Sequence, residues 1–132
     1  MKTPKRKFYF IVNPASKSGK GLRIFHKIKP ILEEENISYR VYFTTKNRSA
    51  THITTKILEK DTSGSVRIIA LGGDGTVNEV VQGIGNTGSF DRVIFGYLPT
   101  GSSNDLARDL GYGGDTEAIL HHLLHLSQLL DV

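Results

Sequence analysis

Strand-like and helix-like segments alternate along the 132 residues of this chain. That alternation predicts an α/β domain of three layers, a mainly parallel sheet with helices on both faces. The segments between the short apolar runs carry their apolar residues at helical spacing, as crossover helices do. Loops rich in glycine, small hydroxyls and amides follow the first, third and fourth strands. Those are the carboxyl ends of the strands, outside which such sheets bind ligands.

The elements follow in order. "KFYFIV" (7–12) reads as a mostly buried strand, and "NPASKSGKG" (13–21) as a glycine/serine loop. From Leu22 to Glu35, Ile24, Phe25, Ile28, Ile31 and Leu32 recur at helical spacing, and Pro30 should kink or split that helix because it lacks an N–H. "SYRVYFT" (38–44) is a second strand. Ala50, Ile53, Ile57 and Leu58 form one helical face, closed by the loop around Gly64. "VRIIAL" (66–71) and "RVIFGYL" (92–98) are the third and fourth strands. Between them Val77, Val80, Val81 and Ile84 mark a helix face, and a last helix over 116–129 carries Leu120, Leu123 and Leu124 toward a core. The terminal "LLDV" looks like the start of another strand. The expectation is one α/β domain, 1–132, cut from a longer polypeptide.

Composition excludes several classes. A chain this long buries roughly 65–70% of its unfolded surface and can hold its own core. With 38% hydrophobic and 23% charged residues it is ordinary for a globular protein. No apolar run approaches the ~18 residues of a membrane span. The basic, then apolar, start runs into Asn13-Pro14 without a small-residue cleavage site, so it reads as a strand and not a signal peptide. The chain has no cysteine, which removes disulfides and thiolate metal sites and suits a cytoplasmic address. The net charge of +4 mildly favours anionic ligands or an anionic membrane surface.

The most informative stretch is "IIALGGDGTVNEVV" (68–81), where a strand ends in glycines and a helix begins. Glycines there bring backbone N–H groups toward an anion, most often phosphate, yet Asp74 sits among them. A magnesium ion carried by a nucleotide would resolve the conflict by lying between phosphate and carboxylate. Thr76 and Glu79 also have capping-box spacing, Thr76 at the N-cap and Glu79 three residues on, which is a structural role for both. The Walker loop fails around Gly19-Lys20, and Gly-x-Gly-x-x-Gly fails because Ile24 follows Gly19 and Gly21 where a glycine is needed.

"GGDGT" (72–76) resembles the nucleotide loop of diacylglycerol kinase-type lipid kinases, sphingosine kinases, NAD kinases and phosphofructokinases. Two more segments choose among these. "NPASKSGKG" is similar to the Asn-Pro-x-Ser-Gly loop opening the diacylglycerol kinase catalytic domain, and "LPTGSSNDLARDLG" (98–111) resembles its Leu-Pro-x-Gly-Thr-x-Asn-Asp-x-Ala-Arg segment. The three motifs span about 100 of 132 residues. The resemblance implies a kinase that transfers the γ-phosphoryl group of Mg-ATP to a lipid hydroxyl such as diacylglycerol, with magnesium as cofactor. It places Asn13, Gly72, Gly73, Asp74, Gly75, Thr76, Asn78, Glu79, Gly101, Ser102, Asn104 and Asp105 around the nucleotide, with Thr44 a further contact. Asp74 corresponds to the aspartate on which family activity depends.

Departures from the family pattern are few. Ser102 stands where threonine is usual, and Lys17-Ser18 precede the glycine of the first loop. Members of the family are roughly twice as long, with a second, β-rich domain supplying the general base and much of the lipid site. The expectation is therefore a chain that binds nucleotide and is inactive alone. The implied partners are ATP and a lipid at a membrane surface, reached peripherally from the cytoplasmic side, with a homo-oligomer open and nucleic acid excluded. An NAD kinase-like enzyme and a non-catalytic nucleotide-binding module remain as alternatives.

The remaining features read as structural. Ser102 and Asp105 have the spacing to cap a helix beginning near residue 103. His121 and His125 have zinc-like helical spacing without a third ligand nearby. Lys2, Lys5, Arg6 and Lys7 form a basic terminus of the kind usually solvated.

Overall fold

The computed structural model describes residues 7–99 together with Leu120. The elements run β1 (Lys7–Val12), α1 (Ser16–Glu34), β2 (Ser38–Phe43), α2 (Ala50–Lys60), β3 (Val66–Gly72), α3 (Asp74–Asn86) and β4 (Val93–Pro99). The strands form one sheet in the order β2-β1-β3-β4, and every pair is parallel. The expected α/β architecture is the observed one.

Side chains of β1 alternate between two cores, as the two-residue period of a strand requires. Phe8, Phe10 and Val12 join α1 residues Ile24, Phe25, Ile28 and Leu32 on one face. Tyr9 and Ile11 join Ile53 and Ile57 of α2 and Val80 and Ile84 of α3 on the other. Every residue of β3 is buried, since helices cover it on both sides. Burying one such large apolar side chain contributes about 1.5–3 kcal/mol. Leu120, helical and fully buried, packs into the α1 side, where its leucine spacing aims it. The rest of the predicted last helix, "LLDV" and the Gly101–Asp105 segment lie outside the described residues.

Three local expectations are corrected. Most of the predicted first loop is helix, because α1 begins at Ser16 and leaves only Asn13 to Ala15 as a connection. The helix also runs unbroken through Pro30. Proline there removes one hydrogen bond, while Phe25, Ile28 and Leu32 anchor both flanks in the core. Val81 is 38% exposed; the inward face of α3 is Thr76, Val80, Gly83 and Ile84 instead. That rotation follows from close packing on α2, because a Cβ on Gly83 would lie 2.7 Å from Thr54 Cβ and 2.9 Å from the Thr51 carbonyl oxygen.

Chain direction sets where a ligand can sit. From β1 the chain crosses by α1 to β2 on one side; from β3 it crosses by α3 to β4 on the other. The connections diverge between the carboxyl ends of β1 and β3, where open α/β sheets leave a crevice.

Candidate functional site

Three connections meet at that crevice. Asn13, just past β1, donates its N–H to the Leu71 carbonyl of β3 at 2.9 Å, which ties the first loop to the glycine turn. The Asn13 side-chain oxygen accepts the Ala15 N–H at 3.1 Å, so its NH₂ group is the part left for a ligand. Thr44, just past β2, donates its N–H to Val12 at 2.9 Å. Thr45 and Arg48 then exchange backbone hydrogen bonds of 3.0 and 3.2 Å, folding the stretch before α2 into a tight turn.

The glycine turn after β3 is the start of α3 itself. Gly73 is the N-cap, and its carbonyl accepts from Thr76 and Val77 at 3.1 and 3.2 Å. Thr76 is buried, and its side chain lies so close to Gly72 that a Cβ at that position would collide with it. Asp74 and Gly75 open the helix exposed to solvent, with first-turn N–H groups that have no partner within the helix. Tyr97 of β4 titrates above its ordinary value, first because it is buried and second because the Asp74 carboxylate lies within reach.

The predicted capping box does not form, since α3 has no side-chain cap. Glu79 instead reaches across to α2, where its Oε1 accepts the Ala50 N–H at 2.9 Å. The Glu79 carbonyl takes the Thr51 hydroxyl at 2.8 Å. The physical reason is the close α2–α3 contact at Gly83, which brings the exposed amides of α2 within range of Glu79. Ser49 completes that helix start, its hydroxyl accepting the His52 N–H at 3.1 Å.

Together these segments enclose a cleft of about 440 Å³ lined by Asn13, Ala15, Thr44, Thr45, Lys46, Ser49, Gly75, Thr76 and Glu79. Of the residues named from sequence, it brings together Asn13, Thr44, Gly75, Thr76 and Glu79. Gly72, Gly73, Asp74 and Asn78 belong to the same turn without lining the cleft, and Asp74 and Asn78 are exposed beside it. Gly101, Ser102, Asn104 and Asp105 fall outside the described residues. The sequence reading passed over Thr45, Lys46 and Ser49, although "TTKNRS" also follows a strand and met the same carboxyl-end criterion as the other loops.

Electrostatically the cleft suits an anion with several oxygens. The starts of α2 and α3 both border it and carry partial positive charge, and Lys46 adds a full one. Small side chains and backbone dominate the lining, so a ligand can approach the amides closely. Asp74 and Glu79 oppose this, but Glu79 is already engaged by Ala50.

A parallel α/β sheet with a cleft at its divergence point is the arrangement in which open α/β domains generally take ligands. Residues 7–132 match the family described as the diacylglycerol kinase catalytic domain, and the chain belongs to that family. It is 37% identical to a diacylglycerol kinase of Bacillus subtilis strain 168, over 76% of this chain and 32% of the relative. It is 33% identical to sphingoid long-chain bases kinase 1 of Arabidopsis thaliana, over 76% of this chain and 13% of the relative. A diacylglycerol kinase crystal structure from Bacillus anthracis strain Sterne superposes with a TM-score of 0.65 at 27% identity, covering 95% of this chain and 41% of that one. The chain therefore spans well under half the length of these relatives.

Proposed function

We propose that this chain is the nucleotide-binding part of an ATP-dependent lipid kinase, which transfers the γ-phosphoryl group to a lipid hydroxyl such as that of diacylglycerol. The observation that carries the reading is the convergence of Asn13, Thr44 and the Gly75–Thr76 turn on one cleft between the ends of β1 and β3. Asn13 and Lys46 would bind and orient phosphate oxygens, and the opening amides of α3 would receive them.

Asp74 sets the charge requirement. A carboxylate about 5 Å from a phosphate charge costs roughly 1–3 kcal/mol at surface-like dielectric constants. A cation between them reverses the sign. A cation carried in by the nucleotide would answer that requirement. Magnesium of this kind needs one or two protein carboxylates, the rest of its shell being phosphate oxygens and water. Asp74 fits that role, and the bound ion would neutralise charge on the transferred group.

Phosphoryl transfer requires positioning from several sides. These 132 residues supply the nucleotide wall, and we expect them to bind Mg-ATP while turning it over negligibly. The whole enzyme would work at the cytoplasmic face of a membrane; no helix among the described residues is long and apolar enough to cross one.

Isothermal titration with Mg-ATP tests the reading. The native chain should bind, and Asp74→Asn should weaken binding at least ~10-fold, an effect of more than about 1.4 kcal/mol, with an unchanged circular dichroism spectrum because Asp74 is exposed. Absence of binding, or equal binding by the variant, contradicts it.

A further inference from the structure

On the far side of the Thr45–Arg48 turn lies a second and larger hollow, about 870 Å³, between α2 and the edge strand β2. Its cations are Lys7, Arg40, Arg48, Lys56 and Lys60, and its one carboxylate is Asp61. Five against one leaves +4, which equals the formal net charge of the entire chain. The rest of the molecule therefore averages to neutral.

Most of these charges are not spent internally, although Lys7 lies over the Tyr9 ring at 5.2 Å and also favours the charged form of Asp61. Lys56 has a loose, exposed pair with Glu59 at 3.7 Å, whereas Arg40, Arg48 and Lys60 make no ion pair among the described residues. Asp61 is occupied, accepting the Tyr9 hydroxyl at 2.8 Å and the Ser63 hydroxyl and N–H at 2.6 and 3.0 Å. The floor is amphipathic: Tyr9 and Tyr42 stack with ring centres 6.4 Å apart, beside Ile53 and Ile57.

We propose that this trench docks the protein on an anionic phospholipid surface, taking lipid phosphates between β2 and α2. The inference rests on the lipid-kinase reading, which places the acceptor in a bilayer, and it names a face for the contact. Cations extend from Arg48, before the first residue of α2, to Lys60, its last. Eleven helical residues span roughly 16 Å. That is too long for a single phosphate and suits several neighbouring headgroups. Half-buried Tyr42, with an apolar body and a polar tip, favours the same interface, while Tyr9 beneath it is buried and bonded to Asp61. Each basic residue near such a surface strengthens partitioning about fivefold, and salt weakens the attraction.

The test is co-sedimentation of the full chain with phosphatidylglycerol-containing vesicles and with pure phosphatidylcholine vesicles, at low and high ionic strength. The native chain should sediment with the anionic vesicles alone and lose them at high salt. Arg40→Glu with Lys60→Glu should lower partitioning on the order of 100-fold or more. Lys27→Glu with Lys29→Glu, an equal charge change on exposed positions of α1, should cost far less. Equal sedimentation with both lipids, unaltered docking of the first variant, or an equal loss in the second overturns the proposal. So does binding of inorganic pyrophosphate in the trench without vesicle binding. Calorimetry with Mg-ATP runs in parallel: a chain that binds nucleotide but ignores vesicles loses only the docking face, and one that docks without binding nucleotide loses only the kinase reading.

Discussion

Two hollows flank the Thr45–Arg48 turn, and they are built from different materials. The smaller is made of strand ends: Asn13, Thr44 and the Gly75–Thr76 turn bring backbone amides and short side chains together, with Lys46 its lysine. The larger is made of long side chains from β1, β2 and α2, whose backbones are tied up in the sheet and the helix. The first would be a site by virtue of where the chain turns. The second would be one by virtue of which charges share a flank. Backbone geometry should therefore govern the first and ionic strength the second.

The sharpest break comes at Gly83. Gly83→Ala forces a methyl against Thr54 and the Thr51 carbonyl, an overpacking that costs about 1–3 kcal/mol of stability in urea unfolding. It should push α3 from α2 and weaken Mg-ATP binding while vesicle docking persists, because the trench lies on the other flank of α2. Glu79→Ala comes next. It removes the acceptor of the Ala50 N–H and should cost about 1 kcal/mol, as lost helix caps do. Glu79→Gln keeps an oxygen there and should recover most of that loss.

Tyr9→Phe probes the trench floor. Losing the hydroxyl that donates to Asp61 should cost about 0.5–1.5 kcal/mol near neutrality. The pH profile carries the sign. Burial pushes the Asp61 carboxyl upward, but hydrogen bonds from Ser63 and Tyr9 outweigh it and hold the group below 3.8. Its contribution is present above that value and is lost as pH falls through the lowered one. The variant should thus begin acid unfolding at higher pH. Tyr9 itself is pushed up to about 12 by burial and then by Asp61. Its contribution is complete below 10.0 and fades as pH rises toward 12, so the variant should show a flatter alkaline limb. Lys46→Ala should have the smallest effect, a two- to fivefold loss of Mg-ATP affinity by calorimetry, since an exposed charge contributes at most about 1 kcal/mol.

The same contrast explains what the sequence disclosed. The "GGDGT" turn is one contiguous stretch and Asn13 directly follows an apolar run, and such breaks between apolar periods are visible without any tertiary knowledge. The alternating strands and helices were equally visible, because β1 and β3 bury both faces and so read as largely apolar runs, Arg67 being the charged exception in β3. Glu79 shows the limit. Its spacing from Thr76 satisfies a local capping rule, yet the acceptor is taken by Ala50, 29 residues earlier. Pro30 shows it again, a local helix-breaker overruled by Ile28 and Leu32 in the core. The trench was illegible for the same reason: Lys7, Arg40 and Lys60 become neighbours only when β2 pairs with β1 and α2 crosses above them.

Because both hollows are proposed to take anions, the decisive experiment maps backbone amide NMR shifts during a titration with Mg-ATP. Saturable shifts are expected at Asn13, Ala15, Thr44 to Lys46 and Gly73 to Thr76, all much reduced in Asp74→Asn. Shifts confined to Arg40, Lys56 and Lys60, with the glycine turn silent, would contradict the proposed nucleotide site.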